Sequence, residues 1–312
     1  MPDLPPRMRA ARLSRFGEGG LAVEPADIPQ AVDDEVLVRV RAASINPVDI
    51  KTAQGQFPPG TADDLPLTLG RDVAGTIEAV GTRAHNMLSH GDRVFAHIGF
   101  DRGAQAEFVV IKAVELVALP AGVSFATGAG AGLAAMTAWQ ALFDQGGLQP
   151  GETVLIHGGA GGVGHLAVQF AHAKGARVIA TAGPDDLDFV RGLGADEAID
   201  HKRERFEDRV RGVDLVLDLI GGETGRRSLA VIRDGGRLVS TLEPPETAER
   251  GIGVAPHWMA TPNAAQLGEI ADLLAAGTVA VTVSETFPLD EVVAAYARQD
   301  GGGVRGKIVL TV

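Results

Sequence analysis

The sequence predicts an α/β protein in which a doubly wound parallel sheet is inserted into an irregular, β-rich domain. Three observations carry that reading. Across Val154–Ala171 an apolar run passes into glycines and then into apolar residues at helical spacing, the pattern of strand, tight turn and helix. From about residue 122 to 285 strand patterns alternate with helix patterns, which argues a parallel sheet with helices on its faces. To either side, at 8–120 and again near the end, short β runs separated by turn residues dominate. The β-rich domain is accordingly expected over 1–121, completed by 286–312, and the alternating domain over 122–285.

The elements follow in order. Val36–Ala42 alternates in part with period two, Val73–Val80 ends at Gly81, and Arg93–Ala96 follows the turn His90-Gly-Asp. Glu107–Ile111 and Leu116–Leu119 complete this β series, a small irregular barrel or sandwich. Phe125–Phe143, mostly Gly, Ala and Thr, reads as a buried helix with its entry turn and is too weakly apolar for a membrane span. Strands are then expected at Val154–Ile156, Arg177–Thr181, Glu197–Asp200, Val213–Ile220 and Gly236–Leu242. Helices are expected around 163–174, 185–193, 203–211 and 222–232. Val279–Ser284 is a strand pattern, Leu289–Arg298 a short helix and Lys307–Val312 a terminal strand returning to the first domain.

Composition narrows the function. A chain of 312 residues has the length of about two domains, and 45% hydrophobic with 22% charged residues is ordinary for a globular protein. A net charge of −12 offers no long-range attraction to nucleic acid or to an anionic membrane. The absence of cysteine excludes disulfides, thiolate metal sites and cysteine nucleophiles. The N-terminal residues lack the pattern of a signal peptide, so a cytoplasmic protein is expected.

Gly159, Gly161 and Gly164 satisfy G-x-G-x-x-G between strand and helix. In that setting the first glycine permits a turn, the second lets backbone approach a pyrophosphate, and the third lets helix and strand pack closely. Gly162 and Val163 open the helix, whose N-terminal N–H groups favour phosphate. Dinucleotide binding is the expectation.

Seven segments together resemble a known family. They are Asn46-Pro-Val-Asp-Ile-Lys51, Gly70-Arg-Asp-Val-Ala-Gly75 with Ala79-Val-Gly81, Gly91-Asp-Arg-Val94, Gly103-Ala-Gln-Ala-Glu-Phe108, Thr137-Ala-Trp-Gln-Ala-Leu142, Ala160-Gly-Gly-Val-Gly164 and Gly306-Lys-Ile-Val-Leu310. Over nearly the whole chain the sequence resembles the zinc-independent, zeta-crystallin-like quinone and enone oxidoreductases of the medium-chain dehydrogenase/reductase superfamily. The resemblance implies a chaperonin-10-like catalytic domain, a Rossmann domain, a cleft between them and a homodimer. It implies NADPH as cofactor, with NADH the alternative, and a quinone or α,β-unsaturated carbonyl as substrate. Neither a nucleic acid nor a membrane is an expected partner.

By the same resemblance Asn46, Lys51 and Thr137 are the candidate catalytic residues. Thr181, Gly183, His201 and Thr241 join Gly159, Gly161, Gly162, Val163 and Gly164 as cofactor candidates. Where zinc-dependent relatives carry a cysteine ligand this chain has Asn46, and where they carry a His-Glu pair it has Arg71-Asp72, so no metal is expected. The eight histidines (His85, His90, His97, His157, His165, His172, His201, His257) lack paired ligand spacing and are expected at the surface or in packing. From the residues alone, Asn46 before Pro47 equally suits a turn, Lys51 a solvated surface and Thr137 a core helix, while Asp49 suits a helix cap.

Cofactor preference turns on the end of the second Rossmann strand. Ala180-Thr-Ala-Gly-Pro184 has no acid to bond a ribose 2′-hydroxyl, which favours NADPH. Yet Asp185-Asp186 follows where a basic residue is usual, leaving Lys202, Arg203 or Lys174 as sources of positive charge. A zinc-free alcohol dehydrogenase and a non-enzymatic NADPH-binding structural or regulatory protein are the alternatives. Gln54–Asp64 and Pro244–Trp258 are expected pocket loops.

Overall fold

The computed structural model describes residues 4–57, 62–84, 88–246 and 250–312. His85, Pro58, Pro59 and Gly60 of the sequence expectations, and residues 247–249 of the second pocket loop, lie outside these. The chain gathers into two compact units, one of Met1–Leu133, Thr261–Ala276 and Thr282–Val312, the other of Ala134–Ala260 and Gly277–Val281.

The first unit begins with strands β1 (Met8–Leu13), β2 (Leu21–Ala26) and β3 (Glu35–Ile45), then helix α1 (Pro47–Ala53). β4 (Leu67–Thr68), β5 (Asp72–Val80), β6 (Arg93–His97), β7 (Phe108–Lys112) and β8 (Val117–Ala118) follow. β1 pairs with β2 and β4 in an antiparallel three-stranded sheet. β3 is the spine of a larger sheet, pairing antiparallel with β5 and β7. Its partial alternation in sequence fits that position, because nearly all its side chains are buried on one face or the other. Helix α2 (Phe125–Trp139) comes next, interrupted at Gly132 (φ −20°, ψ −105°) and continued by a π-helical turn, Gln140–Gln145.

The second unit carries the alternating pattern. β9 (Thr153–His157), α3 (Gly164–Ala173), β10 (Arg177–Ala182), α4 (Leu187–Gly192), β11 (Glu197–Asp200), α5 (Phe206–Arg209), β12 (Val213–Asp218), α6 (Glu223–Ser228), β13 (Ile232–Ser240) and β14 (Gly253–Val254) run in order. The sheet reads β11-β10-β9-β12-β13-β14 and every pairing is parallel, the doubly wound order with its reversal between β9 and β12. Two expected helices are shorter than their patterns. α5 is a single turn that ends where Val210 turns extended and packs into the sheet core, and α6 stops short of Val231 and Ile232, which join the same core.

The chain then returns through helix α7 (Ala264–Ala275), β15 (Val283–Pro288), α8 (Val292–Asp300) and β16 (Lys307–Thr311). β16 pairs antiparallel with β3 and parallel with β15, so the last strand closes the sheet begun near residue 35. α7 is absent from the sequence expectations, although its signals are present. Asn263 caps it by accepting from the Gln266 N–H (3.1 Å), and Leu267, Ile270, Ala271 and Leu274 bury one face. The strand expected at Val279–Ser284 begins later, at Val283.

His157 closes β9 with its ring buried. Ser228 Oγ donates to the Thr224 carbonyl (2.7 Å), so it accepts from His157 Nε2–H at 2.9 Å. That leaves Nδ1 to accept from the Thr181 hydroxyl at 3.2 Å, and the Phe206 ring meets the imidazole edge-on at 4.6 Å. Burial, with Arg227 adding to it, pushes the imidazole down to about 3. The unfolded chain binds a proton near 6.5 that the folded chain refuses. The stability owed to neutral His157 is therefore complete above pH 6.5 and is lost as pH falls toward 3, about 2 kcal/mol of it by pH 5. Urea unfolding at pH 7 and pH 5 checks this, since His157→Gln should lose less stability between the two than the parent does.

Candidate functional site

The glycine turn at the head of α3 has a different division of labour from the one the motif suggests. Gly158, not Gly159, carries the left-handed conformation (φ +76°) that starts the turn. Gly159 instead lies against β10: its N–H donates to the Thr181 carbonyl (2.9 Å), and a Cβ there would sit 2.9 Å from that of Ala180. At Gly164 a Cβ would be 2.1 Å from the Gly158 carbonyl oxygen, so only glycine lets α3 start this close to the strand. A Cβ at Gly161 would meet a single atom, 3.4 Å away. That is the open cradle a phosphate needs, just ahead of α3 and beside Gly162 and Val163, whose N–H groups have no partner among the described residues.

The other cofactor candidates gather at the same edge of the sheet. Thr181 pairs with His157, Ala182 with Asp200, and Asp218 with both His157 and Ser240, so Gly158, Gly183, His201 and Thr241 all follow strand ends at the carboxyl edge. Thr181 is engaged there, its hydroxyl accepting from the Gly158 N–H (3.3 Å). His201 is exposed and Thr241 half-buried. Asp185 and Asp186 form a 3-10 turn after Gly183, while Arg203 Nε lies 3.6 Å from the buried Asp200 carboxylate. Lys174 is corrected as a source of charge for a phosphate. It follows the C-terminus of α3, the opposite end from the glycines, and rests over the Trp139 and Phe143 rings at 5.0 and 5.9 Å.

In the first unit, Asn46 stands at the N-cap of α1, between Pro47 at the first helical position and the end of β3. Asp49 Oδ2 accepts from the Asn46 backbone N–H (2.9 Å), so Asp49 caps the turn it belongs to. The Asn46 amide is occupied on both sides. Oδ1 accepts from Lys307 Nζ (2.5 Å), and Nδ2 donates to Asp72 Oδ2 (2.7 Å) and toward Ser44 Oγ (3.3 Å). Ser44 Oγ also donates to Asp72, and Lys307 Nζ to the Ile45 carbonyl (3.1 Å). Arg71 completes the cluster, with its guanidinium 4.6 Å above the Phe100 ring centroid, Nη1 donating to the Gly99 carbonyl and Nε 3.9 Å from Asp49 Oδ1.

Burial governs the charges here. It pushes the Asp49 carboxyl up to about 6 against the pull of Arg71, and Asp49 Oδ1 has no hydrogen-bond partner. It lowers Lys307 and Arg71 from their ordinary values, opposed by the nearby carboxylates, and raises Tyr296, whose hydroxyl donates to Gln105 Oε1 (2.8 Å). Lys51 is different. It is half-buried on α1, and none of the described residues accepts from its ammonium.

Thr137 lies in the second unit on α2, half-buried, one turn beyond the Gly132 kink. A cavity of about 660 Å³ in the first unit has Arg12, Thr52, Arg71 and Phe100 in its wall, with neither Asn46 nor Lys51 among the described residues that line it. The residues that sequence reasoning passed over are Lys307 and Asp72 as partners of Asn46. The available signal was a lysine or an acid inside an otherwise apolar strand, Lys307-Ile-Val-Leu and Asp72-Val-Ala-Gly.

Residues 32–121 match the family described as the alcohol dehydrogenase GroES-like domain, and residues 193–310 that described as zinc-binding dehydrogenase. The chain is 31% identical to the quinone oxidoreductase of Mus musculus, covering 97% of each. It is 33% identical to the NADPH-dependent alkenal/one oxidoreductase of Arabidopsis thaliana, covering 99% of this chain and 80% of that one. Among solved structures, the quinone oxidoreductase of Coxiella burnetii superposes with a TM-score of 0.90 at 32% identity, over 98% of this chain and 99% of that one.

Two glycine substitutions should separate folding from binding at the turn. Gly161→Ala meets little and should unfold within about 0.5 kcal/mol of the parent, yet its methyl occupies the cradle and should weaken binding of a reduced dinucleotide on the order of tenfold or more. Gly164→Ala collides with backbone and should cost about 1–3 kcal/mol of stability or more. Urea denaturation and fluorescence titration with the dinucleotide read the two effects.

Proposed function

This chain belongs to the quinone and enone oxidoreductases of the medium-chain dehydrogenase/reductase superfamily, and on that premise we propose that it reduces a quinone or an α,β-unsaturated carbonyl at the expense of NADPH. The observation that carries the reading is the open cradle at Gly161 heading α3, in a chain whose first unit also presents the half-buried ammonium of Lys51, from which no described residue accepts. The reduced nicotinamide supplies the hydride when bound. Gly161, Gly162 and Val163 would hold the pyrophosphate, Gly159, Gly164 and the engaged Thr181 would shape the turn that presents them, and Gly183, His201 and Thr241 would hold the rest of the dinucleotide along the carboxyl edge. NADPH rather than NADH is favoured because no carboxylate ends β10, where a ribose 2′-hydroxyl would need one.

The chain's own part in the reaction is to bind the substrate and to stabilise charge on its oxygen. Because the Asn46 amide is consumed inside the fold, Lys51 is the better hydrogen-bond donor to an enolate or quinolate oxygen, with solvent supplying the one proton that completes the reduction. Asn46 frames the start of α1 from which Lys51 projects, and Thr137 is the candidate from the second unit. A metal-free site is part of the proposal: the chain has no cysteine, and Asn46, standing where a thiolate ligand would, holds Lys307 and Asp72. Cytoplasmic location and homodimeric assembly belong to the same reading and rest on the family. Among the described residues no helix is long and apolar enough to cross a membrane.

A panel of quinones, alkenals and enones, followed by NADPH consumption, tests the activity, and no turnover above background with any of them would overturn it. Lys51→Met should lower kcat about 100-fold, the usual loss for one oxyanion donor, while leaving the NADPH Kd unchanged. The ratio of kcat/KM with NADPH to that with NADH should exceed one.

A further inference from the structure

An asparagine amide can be turned end for end with almost no change of shape, so whatever sits on its two sides decides which way it faces. Around Asn46 the two sides carry opposite charges. Lys307 Nζ lies 2.5 Å from Oδ1, and Asp72 Oδ2 lies 2.7 Å from Nδ2. Turning the amide over would set its N–H groups against an ammonium and its oxygen against a carboxylate, in an interior where Asn46, Asp72 and Lys307 are each less than 5% exposed. The second hydrogen of Nδ2 points toward Ser44 Oγ, which itself donates to Asp72.

Asp72 reaches further. Its other oxygen, Oδ1, accepts from the Leu133 backbone N–H, a donor that a regular helix would satisfy within itself. The donor is free because α2 breaks at Gly132. A Cβ at Gly132 would lie 2.2 Å from Asp72 Oδ1, so the carboxylate enters the helix only because residue 132 is glycine. One line of hydrogen bonds therefore runs from Lys307 on β16, through the Asn46 amide and the Asp72 carboxylate on β5, to the backbone of α2.

We propose that Lys307 and Asp72 are positioning residues for the reaction: they hold the Asn46 amide in one orientation and tie the head of α1, which bears Lys51, to the kink of α2. The proposal rests on the reading of Lys51 as the donor to the substrate oxygen, with Asn46, its amide consumed inside the fold, framing the start of the helix that bears it. Neither Lys307 nor Asp72 touches substrate; each acts through Asn46. Loss of either should lower kcat and leave the dinucleotide Kd alone.

Four variants of the full chain test it, each read by kcat with a quinone and saturating NADPH, by the NADPH Kd and by Tm. Lys307→Met and Asp72→Asn should each lower kcat tenfold or more with the Kd within twofold. The reciprocal exchange Asn46→Asp with Asp72→Asn redraws every bond with the same total charge. Lys307 then donates to a carboxylate at position 46, the amide nitrogen at position 72 donates to that same carboxylate, and the Leu133 N–H donates to the amide oxygen at position 72. The exchange should recover most of the kcat that Asp72→Asn loses. A purely structural role predicts that kcat follows Tm; an exchange that regains Tm but not kcat overturns the proposal, as does Lys307→Met with unchanged kcat. Where the exchange does not fold, Lys307→Met alone decides. Asn46→Ala separates the two levels: unchanged kcat there removes the reading of Asn46 itself, whereas a loss there beside active Lys307→Met and Asp72→Asn removes only the positioning.

Discussion

Four ionisable side chains, Asp49 on α1, Arg71 just before β5, Asp72 on β5 and Lys307 on β16, share the interior of the first unit, and each is almost wholly withdrawn from water. An ion stripped of its hydration costs several kcal/mol unless partners replace the lost water, and breaking one such pair by removing a member typically costs about 3–5 kcal/mol. β3, β5, β16 and α1 therefore have little freedom in how they meet. The interior is not fully satisfied even so, since Asp49 Oδ1 has only the distant guanidinium of Arg71, and its carboxyl responds by holding its proton up to about pH 6. Apolar residues would fill the same volume at less cost, and what the charges add is direction.

The second unit meets a different constraint with different chemistry. Its problem is close approach of backbone to backbone, solved by removing side chains at Gly159 and Gly164 and by left-handed geometry at Gly158. The neutral pair of His157 with Thr181 and Ser228 then fastens the strand beneath the turn to β10 and α6. Hydroxyls and one neutral imidazole hold the strand beneath this turn, where full charges hold the head of α1 in the other unit. The two halves of the chain accordingly respond to acid through different groups.

The doubly wound sheet was legible because its signals are local. Val154–Ala171 carries strand, turn and helix within 18 residues, and the alternation that follows repeats the pattern. The β-rich segments were legible as strands but not as a sheet order, because β3 meets β16 from the far end of the chain and no local pattern announces that pairing. The partner of Asn46 was hidden for the same reason. α7 was missed despite its cap and its apolar spacing, since the helix lies in a stretch surrounded by turn residues. The assignment of roles among the glycines needed geometry too. Sequence names the set, but φ at Gly158 and the space around Gly161 distinguish them. Lys174 is near the glycines in sequence but not in space, because ten residues along a helix carry it about 15 Å from them.

The closing of the first unit by β16 has a consequence for how the chain is made. Residues up to Leu133 emerge from the ribosome first, with β3 lacking one of its partners and Asn46 lacking the ammonium of Lys307. The second unit, nearly continuous in sequence, can condense while they wait. At common rates of synthesis the interval between Leu133 and Lys307 lasts on the order of 10–30 seconds, long compared with the collapse of a small domain. During that interval the nascent N-terminal segment is a sheet with an open flank, the state in which a chaperone has most to offer and in which a neighbouring nascent chain is most hazardous.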